Sequence, residues 1–276
     1  MYTVRSEIYS ETNYQPESSE DGRIVSKFRF RYPPPGEGVA TVDTDGDLDV
    51  QRLRRGTIEL EHSGATEIKL VGLQVWRGAL LLADYLFSRR KELGSKTIME
   101  LGAGVGLSSI AAAIHNSGHV YCTDVNLGDI LTLIRSNVQR NAQLLQGQVS
   151  VIEYDFMAPK SQLSAELLEA IDLSDVIMAA DVIYDDALTD AFVAVIEHIF
   201  VRAKESGRSK CIYMALEKRY VFTLEDCDSV APMYEHFLRQ TAHKPWIVDH
   251  IPLDFPQYFE YERCPQLILM RISQRL

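Results

Sequence analysis

From residue 57 onward the apolar positions change period repeatedly, and each change marks an element. "TIELEHS" alternates apolar and polar residues as a half-buried strand does, and "EIKLVGLQVW" is the expected antiparallel partner across a turn at Gly64. "GALLLADYLFSRRKEL" shifts to helical spacing, with Leu81, Leu82, Tyr85 and Leu86 on one face and a basic end suited to a helix C-terminus. The rest of the chain then alternates. Strand "KTIMEL", a helix over residues 107–115 and strand "HVYCTD" come first, followed by helix "LGDILTLIRSNVQRNAQLL" and strand "QVSVIEY". After a polar insert near residues 159–173 come strand "SDVIMAAD", helix "ALTDAFVAVIEHIFVRAK" and strand "KCIYMALE". A helix around residues 229–240 precedes two late strands near "PWIVDH" and "QLILMRI". Helices of this length between strands act as crossovers, so the expected fold is α/β, a doubly wound and mostly parallel seven-stranded sheet covered on both faces. The closing strand pair has no long helix between its members, which predicts an antiparallel last strand, and the N-terminal β-hairpin adds to this core.

Residues 1–55 lack such periodicity and are expected to form an irregular extension before a single domain over residues 56–276. Pro33, Pro34 and Pro35 oppose helix and central strand alike, and the acids that follow form a solvated run. "DTDGDLD" resembles a calcium loop, but the required spacing and closing glutamate are missing. With 276 residues, 46% hydrophobic and 24% charged, the chain is long enough and apolar enough for one large core. Its formal charge of −11 opposes direct nucleic-acid binding and favours a basic partner. Four scattered cysteines form no disulfide framework or metal spacing, and the histidines form no ligand set, so no metal is expected. Without an apolar signal core or a stretch approaching a membrane span, a monomeric, non-secreted protein with no membrane partner is the expectation.

The candidate chemistry begins at "IMELGAGVG", where Gly102, Gly104 and Gly106 occupy alternate positions after a strand. Without Cβ atoms, Gly102 and Gly104 let the backbone approach a ligand, while Gly106 can start the next helix close to the sheet. The loop lies at the carboxyl end of the first core strand, where such sheets bind ligands. A triphosphate loop would need G-x-x-x-x-G-K-[ST], which is absent. A dinucleotide loop would need a third glycine where Leu107 stands, which weakens that reading without removing it. Glu100 could attract an ammonium group, and Asp124 at the next strand end could take both hydroxyls of a ribose. The competing structural readings are a solvated strand-end acid for Glu100 and a cap on a helix starting near Leu127 for Asp124.

On the far side, "MAADVIYDD" leaves another strand at the same sheet edge. Asp181 and Tyr184 are three apart, so a helical turn would point both over the cleft. A carboxylate and a phenol can hold an ammonium group by charge, hydrogen bond and ring face. Asp185 and Asp186 are read as solvated or capping the next helix. Trp76 is either a core tryptophan or a lid over the ligand, and Phe156, beside Asp155, either fills the core or packs on an adenine ring.

"MELGAGVGLSSIAAA", "VYCTDV", "MAADVIYDD" and the upstream "VGLQVWRGALLLADYL" together resemble the seven-β-strand, S-adenosylmethionine-dependent protein-lysine methyltransferases. The similarity runs from about Gly46 to the C-terminus. The resemblance implies a Rossmann-like methyltransferase fold and S-adenosylmethionine as cofactor. It implies a cofactor site on Trp76, Glu100, Gly102, Ala103, Gly104, Asp124, Phe156 and Ala180. It also implies a [DE]-x-x-[YF] substrate motif, with Asp181 and Tyr184 as the catalytic residues. Many members carry tryptophan where this chain has Phe156, so the aromatic face is kept and the indole N–H is not. The implied partner is a protein with an accessible lysine, a basic nucleic-acid-binding protein met in the nucleus or cytoplasm. Transfer to histidine or a small molecule, a cofactor-binding interaction module and a nucleotide-dependent dehydrogenase are the competing readings.

Overall fold

The computed structural model describes residues 3–11, 17–18, 23–32, 41–42, 45, 48–49, 54–116, 118–223 and 228–275. The proline run at 33–35, most of the acidic run at 43–49 and Cys227 lie outside the described residues. The elements used below are β1 (Ile24–Tyr32), β2 (Arg54–His62), α1 (Arg77–Ser88), β3 (Ile98–Leu101) and α2 (Leu107–His115). They continue as β4 (His119–Asp124), α3 (Ile130–Arg140), β5 (Gln148–Glu153), α4 (Ala165–Leu173), β6 (Val176–Ala180) and α5 (Asp186–Glu205). The chain closes with β7 (Cys211–Glu217), α6 (Pro232–Thr241), β8 (Trp246–Ile251) and β9 (Leu267–Gln274).

Seven strands form the main sheet in the order β8-β9-β7-β6-β3-β4-β5. The pairs β6–β7, β6–β3, β3–β4 and β4–β5 are parallel, and β9 is antiparallel to both of its neighbours, as the sequence pattern predicts. Side chains alternate across the sheet. Met99, Leu101, Ile177, Ala179, Ile212 and Met214 point to one face and pack with α4 and α5. Ile98, Val120, Val176, Met178 and Ala215 point to the other, where Leu81, Leu82 and Tyr85 of α1 meet them. Both faces are therefore covered, which explains why these strands read as nearly continuous apolar runs. The chain leaves β3 toward β4 on one side, while β6 lies on the other. The switch point opens between the loops that follow β3 and β6.

Three expectations are corrected. First, an N-terminal antiparallel pair exists, but "EIKLVGLQVW" is not its second strand. β2 pairs instead with β1, in the register Phe28↔Ile58 and Ser26↔Leu60, inside the region expected to be irregular. "IVSKFRFRY" does alternate, and Phe28 and Phe30 are buried on its inward face. The opposite edge of β2 is occupied by side chains from the C-terminal end of α3 and its cap. Asn141 exchanges bonds with the Glu59 backbone, accepting from its N–H at 2.9 Å and donating to its carbonyl at 2.7 Å. Asn137 does the same with Glu61 at 2.8 and 3.0 Å. Two carboxamides thus stand where a neighbouring strand would be, and Ile68–Leu73 forms a 3₁₀ helix. Second, the polar insert contains α4, whose Ser164 accepts from Leu167 N–H as an N-cap, and whose Leu167, Ala170 and Ile171 lie buried at helical spacing. Third, one segment, Ile68–Ser88, does contain an 18-residue window apolar enough to match a membrane span. That window is 78% buried inside the protein, and α1 within it is a core helix.

The α1 helix also ties distant parts of the chain together. Asp84 is fully buried, and its carboxylate accepts from Tyr258 N–H, Phe259 N–H, the Tyr261 hydroxyl and Arg263 at 2.6–3.0 Å. The segment held this way bridges back to β1 through Phe30↔Phe259. Residues 3–11 lie against the start of α1. Ser6 N–H donates to the Gln74 side chain at 2.9 Å, Val75 N–H donates to the Tyr9 hydroxyl at 2.8 Å, and Ile8 is fully buried.

Candidate active site

A cleft of about 960 Å³, counting its open mouth, lies at the switch point. Trp76, Gly102, Ala103, Gly104, Asp124, Phe156, Ala180, Asp181 and Tyr184 all line it, although they come from five separate stretches of the chain. Of the ten residues singled out by sequence, only Glu100 does not line the cleft.

Gly102 and Gly104 have φ of 65° and 57°, in the left-handed region that side chains disfavour. The space is closed to a side chain as well. A Cβ on Gly102 would lie 2.8 Å from Val182 Cγ1, and one on Gly104 would lie 3.0 Å from the Gly72 carbonyl oxygen. The loop is therefore held open by the absence of side chains and backs directly onto the cleft.

Asp124 closes β4, and each carboxylate oxygen accepts one backbone bond, from Gly104 N–H and Val125 N–H, both at 2.7 Å. Burial raises its pKa to about 6 against the two stabilising amides. Every carboxylate oxygen has a second acceptor site, so both remain able to take ribose hydroxyls. Asp124 is not the cap of the following helix, because α3 begins later, at Ile130.

Glu100 behaves otherwise than expected. It is 1% exposed, on the face of β3 that meets α2, and the Ser109 hydroxyl donates to it at 2.5 Å. Burial raises its pKa to about 7. Strand alternation accounts for this placement: Glu100 shares a face with Ile98, so it points beneath the loop rather than into the cleft. It is neither a solvated strand-end acid nor a group lining the ligand space.

Trp76 immediately precedes α1 and is half-buried. Its indole N–H donates to the Val71 carbonyl at 2.9 Å, and the Arg219 guanidinium lies 4.8 Å from its ring centre. Phe156 packs edge-on to Tyr154 at 5.5 Å and against Phe192 at 5.7 Å while lining the cleft, so core packing and a ligand-facing role coexist.

The turn after β6 is not helical. Asp181 has φ of 52°, and its carboxylate accepts Gly78 N–H at 2.8 Å and Glu217 N–H at 2.9 Å. Burial raises its pKa to about 6, opposed by the two amides and Arg219. Its hydrogen-bond partners are thus the first turn of α1 and the end of β7, not the Tyr184 hydroxyl. Tyr184 is 36% exposed at the mouth of the cleft, with its hydroxyl pushed up to about 12 by burial and by the charges of Asp124 and Asp185. Asp185 accepts Leu188 N–H at 3.0 Å and caps α5, as read from sequence. Sequence reasoning missed Gly78, Arg77 and Glu217 behind Asp181. The only signals were the position of Arg77 and Gly78 directly after Trp76, and the acid ending "CIYMALE".

A glycine-lined loop at the switch point, an acid with spare acceptor sites at the next strand end and two aromatic walls fit an adenosine cofactor carrying a short polar arm. Fold and cleft together are those of a Rossmann-like transferase. Residues 57–229 match the lysine methyltransferase family. Methyltransferase-like protein 22 of Mus musculus is 35% identical over 94% of this chain and 70% of that protein. Its Homo sapiens counterpart is 34% identical over 94% and 67%. Protein-lysine N-methyltransferase EEF2KMT of Mus musculus is 24% identical over 73% of this chain and 58% of that one. The chain belongs to the lysine methyltransferase family and is a methyltransferase, which implies S-adenosylmethionine as the methyl donor.

Proposed function

We propose that this protein methylates the side chain of a lysine in a basic, nucleic-acid-binding protein of the nucleus or cytoplasm. The observation that carries the reading is the pairing of Asp124 and Asp181 across one cleft. Each is held by two backbone amides, at strand ends on either side of β3. Two strand spacings separate them, roughly 10 Å. Matches to relatives named as protein-lysine N-methyltransferases favour lysine as the acceptor. The net charge of −11, with exposed Asp185 and Asp186 next to the cleft-lining Tyr184, favours a basic partner.

When bound, S-adenosylmethionine supplies a methyl group on a sulfonium, which is reactive toward a neutral amine. Gly102, Ala103 and Gly104 offer backbone to its polar arm, Asp124 the acceptors for its ribose, and Phe156 a face for its adenine. Asp181 is ionised above about pH 6 and attracts a lysine ammonium to the far wall. Tyr184, protonated at neutral pH, offers a ring face and a hydroxyl beside it. A lysine ammonium of pKa about 10.4 must lose its proton before it can act as a nucleophile. Desolvation in a closed cleft lowers that cost, and the two walls fix the direction of approach.

The test is to incubate the protein with isotopically labelled S-adenosylmethionine and cell extract, then map the labelled residue by mass spectrometry. Label on a lysine of a basic protein, abolished in the Asp181→Ala variant, is expected. Label on histidine or on a small molecule would replace lysine as the acceptor, and donor binding without any labelled product would leave only a binding module.

A further inference from the structure

A continuous chain of polar contacts runs from the N-terminal segment to the acceptor acid. Glu11 Oε1 accepts from Arg77 Nε at 2.8 Å, and Glu11 Oε2 accepts from Glu262 N–H at 2.8 Å. Arg77 also donates through Nη1 to both carboxylate oxygens of Glu217, at 3.1 and 3.3 Å. The next groups along the chain are the ones that hold Asp181: the N–H of Gly78, adjacent to Arg77, and the N–H of Glu217 itself. None of the three ionic side chains at the centre is freely solvated, with 10% exposure for Arg77, 16% for Glu11 and 12% for Glu217.

We propose that Glu11 and Arg77 are positioning residues for Asp181, so that the segment over residues 3–11 is a working part of the acceptor wall. This rests on the reading of Asp181 as the lysine-binding acid. The geometry supports it in two ways. Arg77 fixes the start of α1 relative to the end of β7, and those two places supply the amides that aim the Asp181 carboxylate. Arg77, at 3.1 Å, also offsets the charge of Glu217 beside Asp181, where the second cation, Arg219, stands farther off at 4.0 Å. Glu11 holds the guanidinium from the other side and anchors it to the segment near Glu262. A guanidinium with several bonds cannot be replaced by an ammonium without losing part of this geometry.

The charged and titratable groups facing Asp181 are Glu217, the last residue of β7, and Arg219 just beyond it. Gly78 N–H at the start of α1 and Tyr184 in the same turn complete its surroundings. Removing the Arg77 charge therefore leaves Glu217 with only the longer Arg219 contact and strengthens its repulsion of an ionised Asp181, so the acid limb of the pH profile should move to higher pH.

The experiment compares Glu11→Gln, Arg77→Lys and Arg77→Met in the full chain. Four readouts are needed: unfolding temperature, affinity for S-adenosylhomocysteine, kcat and KM across pH, and the amide proton shifts of Gly78 and Glu217 during a pH titration. Expected are donor affinities within about threefold of wild type in all three variants. On the mapped acceptor, kcat should fall about tenfold in Glu11→Gln and further in Arg77→Met, with Arg77→Lys between wild type and Arg77→Met. The titration reported by both amides should move to higher pH in Arg77→Met. Should Arg77→Met not fold, Glu11→Gln and Arg77→Lys still decide the question through kcat and the amide shifts. Wild-type kcat and unmoved amide titrations in folded variants would overturn the positioning role. Absence of turnover in the wild-type protein would instead overturn the lysine reading.

Discussion

Asp124 and Asp181 are held by the same local chemistry and by very different lengths of chain. Each carboxylate accepts two backbone N–H groups, and burial raises each pKa to about 6. The amides on Asp124 come from 20 residues upstream and from the next residue, all within one strand-loop-helix-strand unit. Those on Asp181 come from residues 103 and 36 positions away, and Asp181 itself sits in a left-handed conformation. On the donor side the glycine loop and Asp124 lie within a single βαβ unit, and Trp76 and Phe156 join them from the flanking chain. The acceptor side exists only when α1, β6 and β7 are assembled, and that is where members of one family can differ while sharing a cofactor.

The sharpest way to break this comparison is to exchange each acid in turn. Asp124→Ala removes two amide bonds and the ribose acceptors, so affinity for S-adenosylhomocysteine should fall by about a hundredfold or more, measured by calorimetry. Asp181→Asn should lower kcat by about a hundredfold while the donor Kd stays within about threefold. A loss of donor affinity in Asp181→Asn comparable to that in Asp124→Ala would show that the two sides do not act separately.

The Gly102→Ala variant tests the donor side at its tightest point. A side chain there meets Val182 and must adopt φ of 65°. A cost of about 1–2 kcal/mol follows from the conformation alone, and the melting temperature should drop by about 2–8 °C, with weaker donor binding. Unchanged melting and binding would mean that the loop moves freely to admit a methyl group.

The smallest expected effect belongs to Glu100, and its sign is the informative part. Its pKa is raised from 4.5 to about 7, so the folded protein binds its proton more tightly than the unfolded chain. This contribution to stability is complete below pH 4.5 and is lost as pH rises through about 7. At pH 8 the buried charge is a burden, and Glu100→Gln should raise the melting temperature by about 2–4 °C while leaving donor affinity within about threefold. A large loss of donor affinity in this variant would return Glu100 to the cofactor site. The raised values of Asp124 and Asp181 act in the same direction between about pH 4 and 6, so wild-type stability should decline over that interval as pH rises.

The parts of the molecule that could be read from sequence are those built from short-range pattern. The succession of the seven strands along the chain, the helix over residues 107–115 and the glycine loop follow from periodicity and spacing, because each is settled within a few turns of chain. The partner of β2 was not legible for the opposite reason. Its pairing depends on β1, far upstream, and on Asn137 in α3 and Asn141 at its C-cap, whose side chains complete a strand edge. Polar residues on a helix normally signal solvent, and nothing in their spacing points to a strand. Asp181 and Tyr184 line the same cleft, but the backbone does not follow the helical turn expected to bring them there. Glu100 stands near the end of β3 in sequence, yet the alternation of that strand puts it on the face opposite Leu101, under the loop.

The bond from Glu262 N–H to Glu11 has a consequence for the order in which the protein is made. A ribosome adds residues at about 5–20 per second, and the segments it releases first begin to fold first. The residues of the glycine loop and Asp124 have all been made once β4 has emerged. Glu11 by then has been waiting longer than any other part of the acceptor wall. It gains its last partner only when residue 262 arrives, close behind the residues that fill the environment of Asp84. During synthesis, every residue proposed to hold the methyl donor is therefore available before the last contact of the acceptor wall can form.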